Sequence, residues 1–116
     1  MAKIRQQKVA SQIQKIVAMT LLREIADPRV DGLISVTRVD VTPDLREAKV
    51  HLSVLGNKRP VATVIEGIKS AGRHIQSEVA KGLTMRFVPH LSFHLDDSLK
   101  REAEILKKID EANRKE

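Results

Sequence analysis

The 116-residue chain reads as an α+β domain with helices packed over one three-stranded sheet. Apolar residues recur at helical spacing across residues 3–25, 61–68 and 75–83, and alternate at strand spacing across 34–41, 48–54 and 87–95. The resulting order is helix, two strands, two helices and strand, followed by one more helical run, with no internal repeat or linker to divide it. A chain of this length forms one domain and buries roughly two thirds of its unfolded surface, so each apolar stripe is core before it is anything else. Residues 1–110 are expected to form that domain and 111–116 a frayed tail.

Val9, Ile13, Ile16, Val17 and Leu21 define the buried stripe of a long first helix, with Lys8 and Lys15 on another face. Asp27-Pro28-Arg29 ends this helix, because proline disfavours helical geometry at the residue before it, and Asp31-Gly32 forms a turn. Ile34 and Val36 alternate in one phase, Val39 and Val41 in the other, which predicts a bulge near Arg38 or a strand buried on both faces. Ala48, Val50, Leu52 and Val54 form the second strand, joined to the first by the Pro43-Asp44 turn as an antiparallel hairpin. Pro60 suits the first turn of a helix striped by Val61, Val64, Ile65 and Ile68. Gly72 interrupts that pattern, and Ile75, Val79 and Leu83 stripe a third helix for which Gly82 is a candidate cap.

Phe87, Leu91, Phe93 and Leu95 are expected on the inner face of the last strand, with Pro89 favouring an edge position or a bulge. Ser98 suits the cap of a final helix carrying Leu99, Ala103, Ile105, Leu106 and Ile109.

Twenty-one Lys and Arg against fifteen Asp and Glu give a formal charge of +6, which favours an anionic partner such as RNA or an acidic membrane surface. The excess lies in the globular part: Lys3, Arg5, Lys8 and Lys15 precede the first acid, Glu24, whereas the last seventeen residues carry six bases and five acids. The absence of cysteine excludes disulfides, thiolate nucleophiles and cysteine metal sites. No stretch approaches the ~20 apolar residues of a membrane span, which leaves a soluble cytoplasmic protein as the expectation.

Catalytic and cofactor chemistry finds no footing. The five glycines form neither a Walker nor a dinucleotide-binding fingerprint, and the serines lack a His-Asp arrangement. His90 and His94, four apart on a strand, stand about 13 Å apart along it, too far to share a metal. Asp96-Asp97 suits the start of a helix. No cofactor, metal or catalytic residue is assigned. Trp and Tyr are absent, and the alternation assigns both Phe87 and Phe93 to the core, which argues against a base-stacking surface.

What remains is electrostatic contact with folded RNA through Lys69, Arg73 and Lys81, aided by Lys58, Arg59 and Arg86. The segment Ile68-Lys69-Ser70-Ala71-Gly72-Arg73-His74-Ile75 concentrates this reading: two helices meet at one glycine between cations, offering helix N–H groups and a positive dipole to phosphate. A plain helix-helix turn with solvated neighbours explains the same residues equally well. The segment falls where a KH-type domain has its Gly-x-x-Gly loop, with Lys69 at the first glycine position.

Across nearly its full length the chain resembles the bacterial ribosome-binding factor A family. The resemblance rests on Asp27-Pro28-Arg29, on the continuous stretch from Val36-Thr37-Arg38 through Thr42-Pro43-Asp44-Leu45-Arg46 to Val50, on Ser70-Ala71-Gly72, and on Arg86-Phe87-Val88-Pro89-His90-Leu91-Ser92-Phe93 leading to Asp96 and Ser98. It implies a type II KH-like fold whose Gly-x-x-Gly loop is replaced by a kinked junction, here with Ser70 where alanine is usual. It also implies binding to the small (30S) ribosomal subunit and its 16S rRNA late in assembly, support of 16S 5′-end processing and of growth in the cold, and a functional link to an assembly GTPase. The residues expected to contact RNA are Lys3, Arg5, Lys8, Lys15, Lys69, Ser70, Gly72, Arg73, Lys81 and Arg86.

Two rivals are a basic amphipathic protein docked on anionic membrane through its first helix, and an RNA chaperone without ribosome specificity. Neither accounts for the ordered motifs. The absence of a heptad seam favours a monomer.

Overall fold

The computed structural model describes residues 2–23, 25, 27–96 and 105–112. Its elements are α1 (Ala2–Arg23), β1 (Leu33–Val41), β2 (Glu47–Leu55), α2 (Val61–Ser70), α3 (Gly72–Gly82) and β3 (His90–Leu95), in the expected order. The strands form one sheet in the order β1-β2-β3, with β1 and β2 antiparallel and β2 and β3 parallel. The two-helix connection through α2 and α3 carries the chain back to the starting end of β2, which a parallel neighbour requires.

The expected bulge is present: register shifts between Val36 and Arg38, leaving Thr37 extra. The Thr37 hydroxyl donates to Asp96 Oδ2 at 2.6 Å, binding the bulge to the residue that follows β3. The shift moves the inner face from one phase to the other, so Val39 and Val41 are buried in register with Val50 and Ala48. Val9, Ile13 and Val17 of α1, Val64 and Ile68 of α2, and Ile75 and Val79 of α3 close over this face, joined by Leu52, Leu91 and Phe93. The hydrogen-bonded turn after α1 spans Asp27–Val30, and the chain then bends at Gly32, which stands at φ +87°, where a Cβ would meet the Leu55 carbonyl oxygen at 2.7 Å.

The structure revises several expectations. Phe87, expected in the core, is 77% exposed and lies outside the strand. The ladder starts only at His90, whose N–H bonds to Arg46 O, because buried Pro89 has no N–H to give. The alternation that places Leu91 and Phe93 inside therefore does not extend back to Phe87. The helix break falls at Ala71 rather than Gly72: Ala71 takes φ −86°, ψ 6°, while Gly72 opens α3 without a left-handed backbone. Pro60 precedes α2 in an extended conformation, with its carbonyl accepting the first helical bonds from Thr63 and Val64. Residues 105–112 are helical, and Ile105, Leu106 and Ile109 are exposed rather than packed; Ser98, Leu99 and Ala103 lie outside the described residues.

Candidate nucleic-acid interface

The cations singled out in the sequence are all exposed, and the fold sorts most of them into three grooves. The largest, about 1230 Å3, has Arg5 and Lys8 of α1 on one wall, the hairpin turn Pro43–Arg46 on another, and the loop Thr84–Val88 on the third. It unites Arg5, Lys8 and Arg86 with Arg46, against Asp44 alone among acids. The Asp44 carboxyl is held below its ordinary range, first by the Thr42 hydroxyl, which donates at 2.7 Å, and then by the Arg46 N–H. The same bonds fold the turn, in which Leu45 stands at φ 61°, uncommon for a residue with a Cβ.

A second groove, about 400 Å3, lies between α1 and α3 and unites Lys15 and Lys81 with Arg23 and Glu78. Lys81 is held by Glu78 at 3.3 Å, which offsets part of its charge.

The third, about 530 Å3, runs between the α2–α3 junction and the outer edge of β3, and unites Lys69, Gly72 and Arg73 with His90 and His94. No acid lines it. The pKa of His94 is lowered, chiefly by partial desolvation against the sheet and then by the neighbouring His51, Lys49 and Lys69, and Ser92 Oγ stands 2.9 Å from its Nε2. Gln76 of α3 closes one end of the groove, donating to Pro89 O at 2.8 Å and accepting from the Leu91 N–H at 2.9 Å.

Lys3 lies exposed on the first turn of α1 and lines none of these three grooves. Ser70 turns to the loop after α1, its Oγ accepting from Arg29 at 2.9 Å. At the junction itself the Ala71 N–H bonds back to Gly67 O and Ile68 O, so this amide is already engaged. Beside it the junction presents the side-chain charge of Lys69 and Arg73 to an anion.

Three features went unassigned in the sequence. Arg46 carried a signal, since it sits within the hairpin motif that follows Pro43-Asp44. Phe87 was hidden by apparent alternation. The face of the sheet away from the helices carries a polar cluster in which Asp40 Oδ2 meets both Arg38 Nε and His51 Nε2 at 3.0 Å, with the His51 and His94 rings 5.7 Å apart. Cross-strand pairing of Arg38 with His51 and of His51 with His94 creates this cluster, which linear sequence does not display.

Among the described residues no group of His, Asp or Glu is placed to hold a metal, and no helix is long and apolar enough to cross a membrane. The arrangement is suited to display positive charge in concave surfaces.

Comparison with known proteins agrees with this architecture. A family model described as "Ribosome-binding factor A" matches residues 5–109. Ribosome-binding factor A of Acetivibrio thermocellus is 38% identical over 109 residues, spanning 94% of this chain and 89% of the relative. The crystal structure of ribosome-binding factor A from Thermus thermophilus superposes with a TM-score of 0.67 at 20% identity, covering 78% of this chain and 93% of that one. A homology model of the Thermus thermophilus factor, fitted into the cryo-EM map of a 30S–RbfA complex, gives 0.63 at 22% identity over 76% and 91%. These likenesses establish the KH-like fold.

Proposed function

This chain belongs to the ribosome-binding factor A family, and from that premise we propose that it binds the small ribosomal subunit through 16S rRNA during late assembly. The observation that carries the proposal is the convergence of cations from α1, the hairpin turn, the α2–α3 junction and the α3–β3 loop into grooves with few acids. Phosphate recognition by such side chains is electrostatic and independent of sequence, and the shape of folded rRNA supplies the selectivity. The complex named for the Thermus thermophilus relative supports the choice of partner.

The protein acts by binding, without a catalytic step of its own. In this reading residues 1–110 are the RNA-binding unit and 111–116 its tail, and Lys3, Arg5, Lys8, Lys15, Lys69, Gly72, Arg73, Lys81 and Arg86 meet rRNA, with Ser70 fixing the junction beside them. Bound to an immature subunit, the monomer favours the conformation from which the 5′ end of 16S rRNA is processed, and an assembly GTPase promotes release. Support of growth in the cold and residence in the cytoplasm complete the reading, which rests there on family resemblance.

Sedimentation with precursor small subunits, mature small subunits, large subunits and protein-free RNA, at low and moderate salt, tests it. Selective association with small subunits that weakens but survives added salt is the expected result. Equal binding to every RNA, lost at moderate salt, reduces the protein to a nonspecific basic domain. Lys69→Glu with Arg73→Glu is expected to weaken subunit binding; unchanged binding removes the junction from the interface.

A further inference from the structure

Phe87 stands out among the exposed apolar side chains of the described residues. Apart from Leu22, no large apolar residue described is as exposed, and Phe87 lies in a groove that combines Arg5, Lys8, Arg46, Arg86 and Asp44 with apolar Ile4, Leu45, Met85 and Val88. The Arg86 guanidinium carbon stands 5.5 Å from its ring centroid, a cation–π contact that holds an aromatic plane and a planar cation together at the groove wall. An exposed phenyl ring is costly in water, and four cations among the apolar groups of the groove favour a ligand that is both flat and anionic over a purely apolar one. An aromatic ring beside an arginine plane, with further cations within one groove, matches an unpaired nucleotide: a π-face for the base and charge for the phosphates.

We infer that this groove is a stacking subsite for an unpaired nucleotide of an RNA strand, the base lying on Phe87 beside Arg86 and the adjoining phosphates meeting Arg5, Lys8 and Arg46. The inference rests on the proposed RNA-binding function and deepens it, since charge alone accounts for duplex and folded RNA whereas an exposed ring selects an unstacked base. Hydrogen bonds from the Thr42 hydroxyl and the Arg46 N–H hold Asp44, the one acid of the groove, within its own turn, where Arg46 Nε also stands 4.0 Å from its carboxylate; Arg46 therefore shares its charge with Asp44, while Arg5, Lys8 and Arg86 line the groove beside them.

The test is fluorescence anisotropy of the full chain with a labelled six-nucleotide oligoadenylate and with its counterpart carrying abasic central positions. The intact single strand is expected to bind the natural chain roughly tenfold more tightly than the abasic one, the scale of one stacked base. Phe87→Ala is expected to remove that difference without changing the salt slope, and Phe87→Trp to retain it. Arg46→Ala is expected to reduce the slope of log K against log salt by about 0.7 while leaving the base-dependent difference in place. Because the abasic comparison is made on the natural chain, it stands even if a variant folds poorly.

Equal binding of intact and abasic strands, or a Phe87→Ala protein that folds normally and keeps the difference, overturns the inference. Displacement of the oligonucleotide by polyglutamate at equal charge, with the Phe87 ring irrelevant, overturns it in favour of an acidic peptide site. Failure of the natural chain to sediment with small subunits overturns the functional reading instead, so the two are separately decided.

Discussion

The Arg29 guanidinium joins Asp27 to Ser70: it meets Asp27 Oδ1 at 3.1 Å and Oδ2 at 2.7 Å, and donates to Ser70 Oγ at 2.9 Å across 41 positions of sequence. Two motifs far apart in the chain are therefore one device, in which the loop that ends α1 holds the last residue of α2. The serine at the junction has a structural partner, and the cations beside it, Lys69 and Arg73, are presented from a braced position.

This linkage predicts acid sensitivity. The Arg29 side chain, then the Arg29 backbone N–H, pull the Asp27 pKa down to about 2 from 3.8. A carboxyl depressed in the folded state contributes stability that is fully present above its unfolded pKa and is lost as pH falls through its folded one. The Asp27 contribution should therefore disappear between about pH 4 and pH 2. Urea midpoints of the natural chain and of Asp27→Asn should differ near neutrality and converge across that window; a constant difference would show that the ion pair does not link folding to pH.

Two glycines on neighbouring turns of structure should respond oppositely to alanine. A Cβ on Gly67 would stand 2.8 Å from Val30 Cγ2 and 3.0 Å from Arg29 Cβ, whereas on Gly72 it meets only Phe93 Cε2 at 3.8 Å. Overpacking at Gly67 costs about 1–3 kcal/mol against a helix gain of about 1, so Gly67→Ala should destabilise by about 1 kcal/mol. Gly72→Ala should stabilise by about 0.5 kcal/mol, since its backbone is open to any residue. Chemical denaturation measures both, and sedimentation of Gly72→Ala with small subunits tells whether RNA requires the bare backbone there: a more stable protein that binds less would mean that it does.

Gln76 should matter more than a half-buried amide suggests. Its two bonds occupy the Pro89 carbonyl and the Leu91 N–H at the start of β3, beside the fully buried Pro89 ring. Leaving both backbone groups without this partner should cost about 1–3 kcal/mol. Amide hydrogen exchange at Leu91 should accelerate in Gln76→Ala more than exchange in α1; uniform acceleration would mean that only global stability had changed.

The element order, the hairpin, the bulge near Arg38 and the buried stripes of α1, α2 and α3 were legible because each is written in local periodicity, and a phase change between Val36 and Val39 has few other causes. Local pattern misled where backbone pairing had the deciding vote. Phe87 shares the phase of Leu91 and Phe93, yet Pro89 delays the ladder to His90 and leaves the ring outside. The glycine signal at position 72 pointed to the right junction and the wrong residue, since the break required only a turn at Ala71.

Residue type and spacing alone carry the domain class, the motifs shared with the family and the excess of positive charge. Packing in three dimensions is what brings Arg29 to Ser70, sets β3 parallel to β2, and gathers Arg5, Lys8, Arg46, Arg86 and Phe87 in one groove. Those relations join residues tens of positions apart, and their geometry is set by how the helices and strands pack, which no local pattern records.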